Sequence, residues 1–156
     1  MKTYWLIVLF LLFSSILFSQ QADSIKNSKN AIYVEILGSS FYWYNLSYDR
    51  IIASAGKHKI SVAVGIQFPA MSKIVEEASK KSIAPQINYL FGRKEELEFG
   101  ICLFYDLDSK DKVAFLRIGY RAQFKNELFF KIAFTPFIMK GGYPWPWAGL
   151  SIGWAF

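Results

Sequence analysis

The stretch WAGLSIGWAF, residues 147–156, decides the fold because two kinds of side chain alternate along it. Every second residue from Ala148 to Phe156 is apolar and most are large, whereas the positions between them hold only glycine, serine and alanine. Successive side chains of a β-strand point to opposite faces of the sheet. The stretch is therefore predicted to form a strand with one large apolar face and one small, weakly polar face.

The same alternation recurs throughout the rest of the chain, in segments separated by turn-forming residues. Most segments are eight to twelve residues long. A strand that crosses a bilayer at a tilt of about 45° needs roughly 9–11 residues, whereas strands of soluble proteins average about five or six. The eight predicted strands are residues 31–38, 41–52, 58–68, 83–91, 96–106, 112–123, 127–138 and 147–156.

The polar faces of these strands distinguish a membrane barrel from a soluble sandwich or lipocalin-like barrel. They carry Gly65, Gly100, Gly119, Gly149 and Gly153, with only about one charge per strand. Small residues suit the crowded inside of a narrow closed barrel, whereas glycine on a solvated strand face would weaken the strand. The predicted fold is all-β: an eight-stranded antiparallel up-and-down transmembrane β-barrel with its apolar faces toward lipid.

The first twenty residues, MKTYWLIVLFLLFSSILFSQ, have the layout of a cleavable secretory signal peptide. Lys2 precedes an apolar run over residues 4–13, and small and polar residues follow. A retained membrane anchor is the alternative, but this run is shorter than the roughly 20 residues a spanning helix needs. The predicted organisation is a signal peptide at 1–19, a flexible leader at 20–30 and the barrel at 31–156.

Composition excludes several other classes of protein. A chain of 156 residues has room for one domain. Its formal net charge of +6 is dispersed over loops and turns, so no basic stripe indicates nucleic-acid binding. Cys102 is the single cysteine, so an internal disulfide cannot stabilise the fold.

The links between strands predict an orientation. Those at 53–57, 92–95 and 124–126 are short, whereas those on the opposite side include 69–82 and 139–146. Short periplasmic turns and longer outer loops are typical of bacterial outer-membrane barrels. The short links are therefore predicted to face the periplasm.

Three acids and three bases are predicted to lie inside the barrel. We interpret them as a self-neutralising polar network, because unpaired charges in so narrow an interior would be costly; a proton or ion path is the alternative. The predicted register places Glu98 opposite Arg121 and Arg117 opposite Lys131, with Glu35 bridging the latter two. The six residues are Glu35, Asp49, Glu98, Arg117, Arg121 and Lys131.

The stretch GGYPWPWAG, residues 141–149, is the most unusual loop. Its aromatic residues Tyr143, Trp145 and Trp147 alternate with prolines. We predict that their rings sit at the lipid headgroups, as aromatic girdles of membrane barrels do. An exposed platform for a sugar or a protein partner is the alternative.

Motifs for catalysis or cofactor binding are not evident in the sequence. His58 is the only histidine and follows a link predicted to be periplasmic. The chain has no His/Cys cluster for zinc and no glycine-rich phosphate loop that leads into a helix. A non-enzymatic protein without a metal or cofactor is therefore expected.

With its signal peptide, eight strands and final aromatic residue, the chain resembles the small eight-stranded outer-membrane barrels of Gram-negative bacteria, of the OmpX-like and OmpA transmembrane-domain type. In that class the last strand is read by the outer-membrane assembly machinery. The resemblance implies that Phe156 and Trp154 form this assembly signal, and that Phe156 matters far more for assembly than Gly153 does.

The resemblance implies location more sharply than activity, because such barrels have diverse functions. The expectation is an outer-membrane protein with a structural or surface-interaction role and no open pore. It would be a monomer that contacts outer-membrane lipid and the assembly machinery. A lipid-modifying enzyme with its site at the outer rim and a periplasmic lipocalin-like carrier are the alternatives.

Overall fold

A computed structural model of the chain describes residues 28–39, 44–67, 81–138 and 144–156. Within these ranges no helix is long and apolar enough to cross a membrane. The strands are β1 Asn30–Leu37, β2 Tyr44–Ala55, β3 His58–Gln67, β4 Ser82–Gly92, β5 Glu95–Asp106, β6 Lys112–Gln123, β7 Leu128–Phe134, β8 Phe137–Ile138, β9 Pro144–Trp145 and β10 Ala148–Ala155.

Eight of the strands form one closed antiparallel barrel, in the order β1-β10-β7-β6-β5-β4-β3-β2. Strands adjacent in the chain are neighbours in the barrel, and β1 closes it by pairing with β10. The last pair at this seam exchanges two backbone hydrogen bonds, from Asn30 N to Phe156 O at 3.0 Å and from Phe156 N to Asn30 O at 2.8 Å. The prediction of an all-β chain with an eight-stranded antiparallel barrel is confirmed.

Three short connections lie at one end of the barrel, which we name the tight-turn end; the opposite end is the long-loop end. The connections are residues 56–57, 93–94 and 124–127. The predicted link at 53–57 was too long, because β2 continues to Ala55 and only Gly56 and Lys57 form the turn. Gly56 has a φ of 63°, a left-handed conformation that glycine adopts without a steric penalty.

The seventh predicted strand, residues 127–138, is also corrected by the structure. β7 ends at Phe134, and β8 pairs instead with β9 in a separate two-stranded sheet at the long-loop end. Pro136 follows β7 and has no N–H to donate to a strand ladder. Thr135 N donates to Trp147 O at 2.7 Å, which continues the register of β7 with β10 by one residue, and Pro136 follows this last bond.

The barrel strands are strongly tilted, as closure of a sheet requires. A row of paired residues that starts at the tight-turn end of β1 reaches the long-loop half of β6. Paired residues of successive strands therefore lie at different heights along the barrel axis. This row runs through Asn30, Arg50, Val62, Ile87, Ile101 and Leu116.

Burial alternates along the barrel strands, and it is inverted relative to a soluble protein. In β1, Ile32, Val34 and Ile36 are exposed, whereas Tyr33 and Glu35 are buried. The most exposed large apolar side chains include Leu116 at 61% and Ile152 at 56%. The apolar faces therefore form a continuous outer surface, and the polar faces form the interior.

Two apolar clusters lie inside the barrel near opposite ends. The cluster toward the long-loop end contains Ala84, Cys102, Phe104 and Phe115, with Val113 and Trp147 packed against it. The cluster toward the tight-turn end contains Ala31, Tyr33, Phe129 and Ala155. The guanidinium carbon of Arg121 lies 5.2 Å from the centre of the Phe129 ring, so charged residues of the interior contact the second cluster.

Candidate functional site

The structure brings together all six charged residues predicted for the interior. They come from five different strands of the barrel, and each is at most 1% exposed. They belong to two groups, and ion pairs connect the members within each group. The six are Glu35 of β1, Asp49 of β2, Glu98 of β5, Arg117 and Arg121 of β6, and Lys131 of β7.

The first group, which we name the central quartet, consists of Glu35, Arg117, Glu98 and Lys131. Arg117 pairs with Glu35 through Nη2 and with Glu98 Oε1 through Nε at 3.1 Å. Lys131 Nζ lies 3.0 Å from the same Glu98 oxygen and donates to Tyr33 Oη at 3.3 Å. Acid and base therefore alternate along the quartet, which has no net charge.

The second group, the lower quartet, lies toward the tight-turn end and consists of Asp49, Arg121, Glu96 and Lys59. Arg121 Nη1 donates to Asp49 Oδ2 at 3.3 Å. Arg121 Nε lies 2.7 Å from Glu96 Oε2, but the N–H is not aligned for a hydrogen bond, so this contact is ionic. Lys59 Nζ pairs with Glu96 Oε1 and donates to the carbonyl of Arg93 at 2.9 Å.

Sequence reasoning missed Lys59 and Glu96, although the alternation contained the signal for both. Glu96 is two residues before Glu98 and lies on the same inward face of β5. Lys59 is two residues before Ser61 and lies on the inward face of β3. Adding this pair extends the Asp49–Arg121 pair to a second neutral quartet.

The predicted pairing inside the barrel was wrong in register. Glu98 faces Gly119, and Arg121 faces Glu96 on one side and Lys131 on the other. The turn between β6 and β7 ends at Glu127, which has a φ of 65°. The centre of this turn lies further along the chain than the sequence predicted. As a result, Glu98 bridges Arg117 and Lys131, the role predicted for Glu35.

Glu35 instead connects the central quartet to the loop after β1. Its Oε2 accepts hydrogen bonds from Ser39 N at 3.3 Å, from the Ser39 hydroxyl and from Asn45 Nδ2 at 3.2 Å. Gly38, with a φ of 68°, turns the chain inward, and Thr135 Oγ1 donates to its carbonyl at 3.4 Å. Ser39 and Thr135 are fully buried, so this loop narrows the mouth at the long-loop end.

The described part of the chain contains few groups suited to covalent chemistry. Cys102 is buried in the apolar cluster toward the long-loop end. His58 lies on the outside of the tight-turn end, with Nδ1 2.5 Å from Tyr89 Oη. No group of three or more His, Cys, Asp or Glu in these ranges is placed to hold a metal ion.

Four amphipathic aromatic residues surround the tight-turn end of the outer surface. Their rings are exposed among the apolar side chains, at 36–54%, and each polar tip is hydrogen-bonded to a residue at a strand end or in a turn at that end. We name them the aromatic ring: Tyr48, Tyr89, Tyr120 and Trp154. Their partners are Asn30 at 2.9 Å for Tyr48, His58 at 2.5 Å for Tyr89, Glu95 for Tyr120 and Glu127 at 2.9 Å for Trp154.

The residues predicted for assembly and for the outer loops have different surroundings. Phe156 and Trp154 are both outward-facing and exposed. Trp147 packs against the interior apolar cluster, so the girdle interpretation is wrong for this residue; it shares the inward face of Gly149 and Ser151. Trp145 lies in β9, and Tyr143 lies outside the described residues.

Comparison of the chain with protein-family models, curated proteins and solved structures gave no match. The resemblance to small outer-membrane barrels therefore stays a prediction. What the fold defines is a closed eight-stranded barrel with an apolar exterior and a charge-neutral, ion-paired interior.

Proposed function

We propose that this protein is a monomeric outer-membrane β-barrel that crosses the bilayer with eight strands and has a structural or surface-interaction role, without an open pore and without enzymatic activity. The observation that carries the proposal is the inverted distribution of side chains. Large apolar groups cover the outside, and eight charged side chains are paired inside.

The outer surface supports a lipid environment. Soluble monomers rarely expose a contiguous apolar patch of more than a few hundred Å², but here such side chains surround the whole barrel. In lipid, every backbone polar group of a spanning segment needs an internal partner. A closed barrel meets this requirement because it has no free strand edge.

The aromatic ring supports the position of one membrane boundary. Tyrosine and tryptophan concentrate at bilayer interfaces, where the ring contacts lipid and the polar tip contacts water or headgroups. All four polar tips of the ring are bonded to residues at the tight-turn end. The interface is therefore expected at the level of Tyr48 and Trp154.

The interior supports the absence of a pore. A barrel of eight strands encloses only enough space for side chains or one small ligand. Here the two quartets occupy the interior from its centre toward the tight-turn end, and the buried Ser39 and Thr135 lie near the opposite mouth. A lipocalin-like carrier would need an apolar interior and a charged exterior, the opposite of what this barrel has.

The sequence supports export and orientation. The predicted signal peptide at 1–19 would direct secretion; it lies outside the described residues, as do the loop segments 68–80 and 139–143. Short turns face the periplasm in bacterial outer-membrane barrels. The tight-turn end is therefore expected in the periplasm, and the loops of the opposite end would carry any interaction at the cell surface.

Cell fractionation combined with gel electrophoresis tests the proposal. The protein should be recovered with the outer membrane, together with a known outer-membrane marker. It should also migrate differently before and after boiling, because a folded barrel resists detergent until it is heated. Recovery in the soluble periplasmic fraction with unchanged mobility would refute the proposal.

A further inference from the structure

One charged residue interrupts the apolar outer face within a barrel strand. Arg50 points outward from β2, between Tyr48 and Ile52 on the same face, and it is exposed. Across the described barrel strands, the other outward Asp, Glu, Lys, Arg or His residues are His58, Glu95 and Lys112, and each is the first residue of a strand. Arg50 is therefore the exception that the proposed lipid environment has to accommodate.

The position of Arg50 is close to the membrane boundary. It is paired with Asn30, the first residue of β1, and the next residue, Ile51, donates from its backbone to Lys29 O at 2.8 Å. A long arginine side chain can keep its stem against apolar surface and extend its guanidinium to the headgroup level. At this height the preferred partner for the guanidinium is an anion.

The protein itself supplies no carboxylate to Arg50 within the described ranges, where it forms no ion pair. The turns at the same end add further positive charge, from Lys57 and Arg93. The nearby acids Glu95 and Glu127 are hydrogen-bonded to Tyr120 and Trp154. The rim is therefore complementary to anions in the surrounding medium.

In the corner formed by Arg50, Tyr48 and Asn30, the guanidinium of Arg50 is the donor suited to a lipid phosphate, because Tyr48 donates to Asn30 Oδ1 and Asn30 Nδ2 donates to Phe156 O at 3.2 Å. Tyr48 lies two residues away on the same face, and its hydroxyl donates to Asn30 Oδ1 at 2.9 Å. A planar guanidinium forms two parallel hydrogen bonds to phosphate oxygens. The apolar side chains of Ile32 and Leu46 continue from this corner toward the bilayer centre, where acyl chains would lie.

We propose that Arg50, with Tyr48 and Asn30 beside it, binds the phosphate of an anionic phospholipid at the tight-turn boundary of the barrel. This inference rests on the proposed membrane function. It adds a specific lipid site to an otherwise general apolar surface. The basic turns around the site favour a lipid with net negative charge over a zwitterionic one.

Lipid retention by the purified barrel tests this site. The refolded protein would be mixed with phosphatidylglycerol, phosphatidylcholine or diacylglycerol in detergent, and the lipid bound after gel filtration would be counted by native mass spectrometry. Wild type should retain phosphatidylglycerol most and diacylglycerol, which lacks phosphate, least. Arg50→Gln should lower retention of phosphatidylglycerol about fivefold, and inorganic phosphate should not displace the lipid.

Lys112→Gln is the matched control, because it removes one outward positive charge at the start of β6, at the opposite, long-loop end of the barrel. Equal losses for Arg50→Gln and Lys112→Gln would overturn the proposal, as would equal retention of diacylglycerol and phosphatidylglycerol by wild type. The comparison of phosphatidylglycerol with diacylglycerol on the wild-type protein tests the proposal even if Arg50→Gln fails to fold. Failure of wild type to insert into vesicles would instead refute the membrane function.

Discussion

At the scale of single residues, Glu35 has the most demanding position. It pairs with Arg117 and accepts hydrogen bonds from Ser39 and Asn45 in a fully buried site. We expect Glu35→Leu to lower the free energy of unfolding by about 3–5 kcal/mol, because it removes one of the two carboxylates that pair with the buried Arg117. The neighbouring Ile36→Leu, on the outer face, should cost less than about 1.5 kcal/mol.

Urea unfolding in detergent micelles or vesicles, followed by tryptophan fluorescence, measures both variants of this pair. The two substitutions are one residue apart and introduce the same side chain. The expected difference in unfolding free energy therefore depends on which face of β1 the substituted side chain occupies. Equal unfolding midpoints would contradict the assignment of Glu35 to a buried ion-pair network.

Gly153 has no room for a side chain. A Cβ at this position would collide with the carbonyl oxygen of Ile32 and come within 2.5 Å of Tyr33 Cα, both in the neighbouring strand β1. Gly153 is therefore a poor choice as a mild comparison for Phe156, contrary to the expectation from the sequence. Gly153→Ala should destabilise the barrel by about 1–3 kcal/mol through overpacking.

Ile152→Val is the control for Gly153→Ala, since it changes the adjacent, outward residue and should shift stability by no more than about 0.5 kcal/mol. The heat-modifiable fraction on gels and the urea midpoint provide the measurements. If the alanine variant folds as well as the valine variant, the close approach of β1 and β10 at Gly153 is not present in the protein.

At the scale of elements, the seam between β1 and β10 closes the barrel. Phe156 exchanges backbone hydrogen bonds with Asn30, and its ring lies on the outer face. Phe156→Asp keeps these backbone bonds but places a charge at the lipid boundary and alters the proposed assembly signal. We expect a severalfold lower amount of folded protein in the outer membrane, quantified by the heat-modifiable band, whereas Ile152→Val should leave the amount unchanged.

The lower quartet couples β3 with β5 through Lys59 and Glu96. Removing one partner of a buried ion pair costs about 3–5 kcal/mol, whereas replacing both with apolar groups is often nearly neutral. Lys59→Met and Glu96→Leu should therefore each destabilise the barrel more than the double substitution does. A double-mutant cycle of unfolding free energies measures this coupling, and strictly additive effects would show that the pair does not interact.

At the scale of the whole molecule, the paired interior predicts negligible ion conductance. Both quartets are charge-neutral and lie inside a narrow barrel, one at its centre and one toward the tight-turn end. Purified protein in planar bilayers should give no steady single-channel currents, with a porin of known conductance as the positive control. Reproducible unitary currents would mean that these side chains line an aqueous path.

The alternation of side chains in the sequence was enough to predict the number of barrel strands, the two faces of each strand and the interior location of six charged residues. These properties follow from the two-residue period of a β-strand, which is local and visible in any segment such as 147–156. Glu96 and Lys59 obey the same period, so they too were within reach of the sequence.

Which of the charged side chains pair with one another depends on the tertiary structure. A shift of two residues between neighbouring strands leaves every side chain on its own face, so alternation cannot detect it. The register depends on where each turn is centred, as at Glu127 between β6 and β7. The break of β7 before Pro136, the packing of Trp147 and the lack of space at Gly153 likewise depend on neighbouring strands, because they are contacts between segments far apart in the chain.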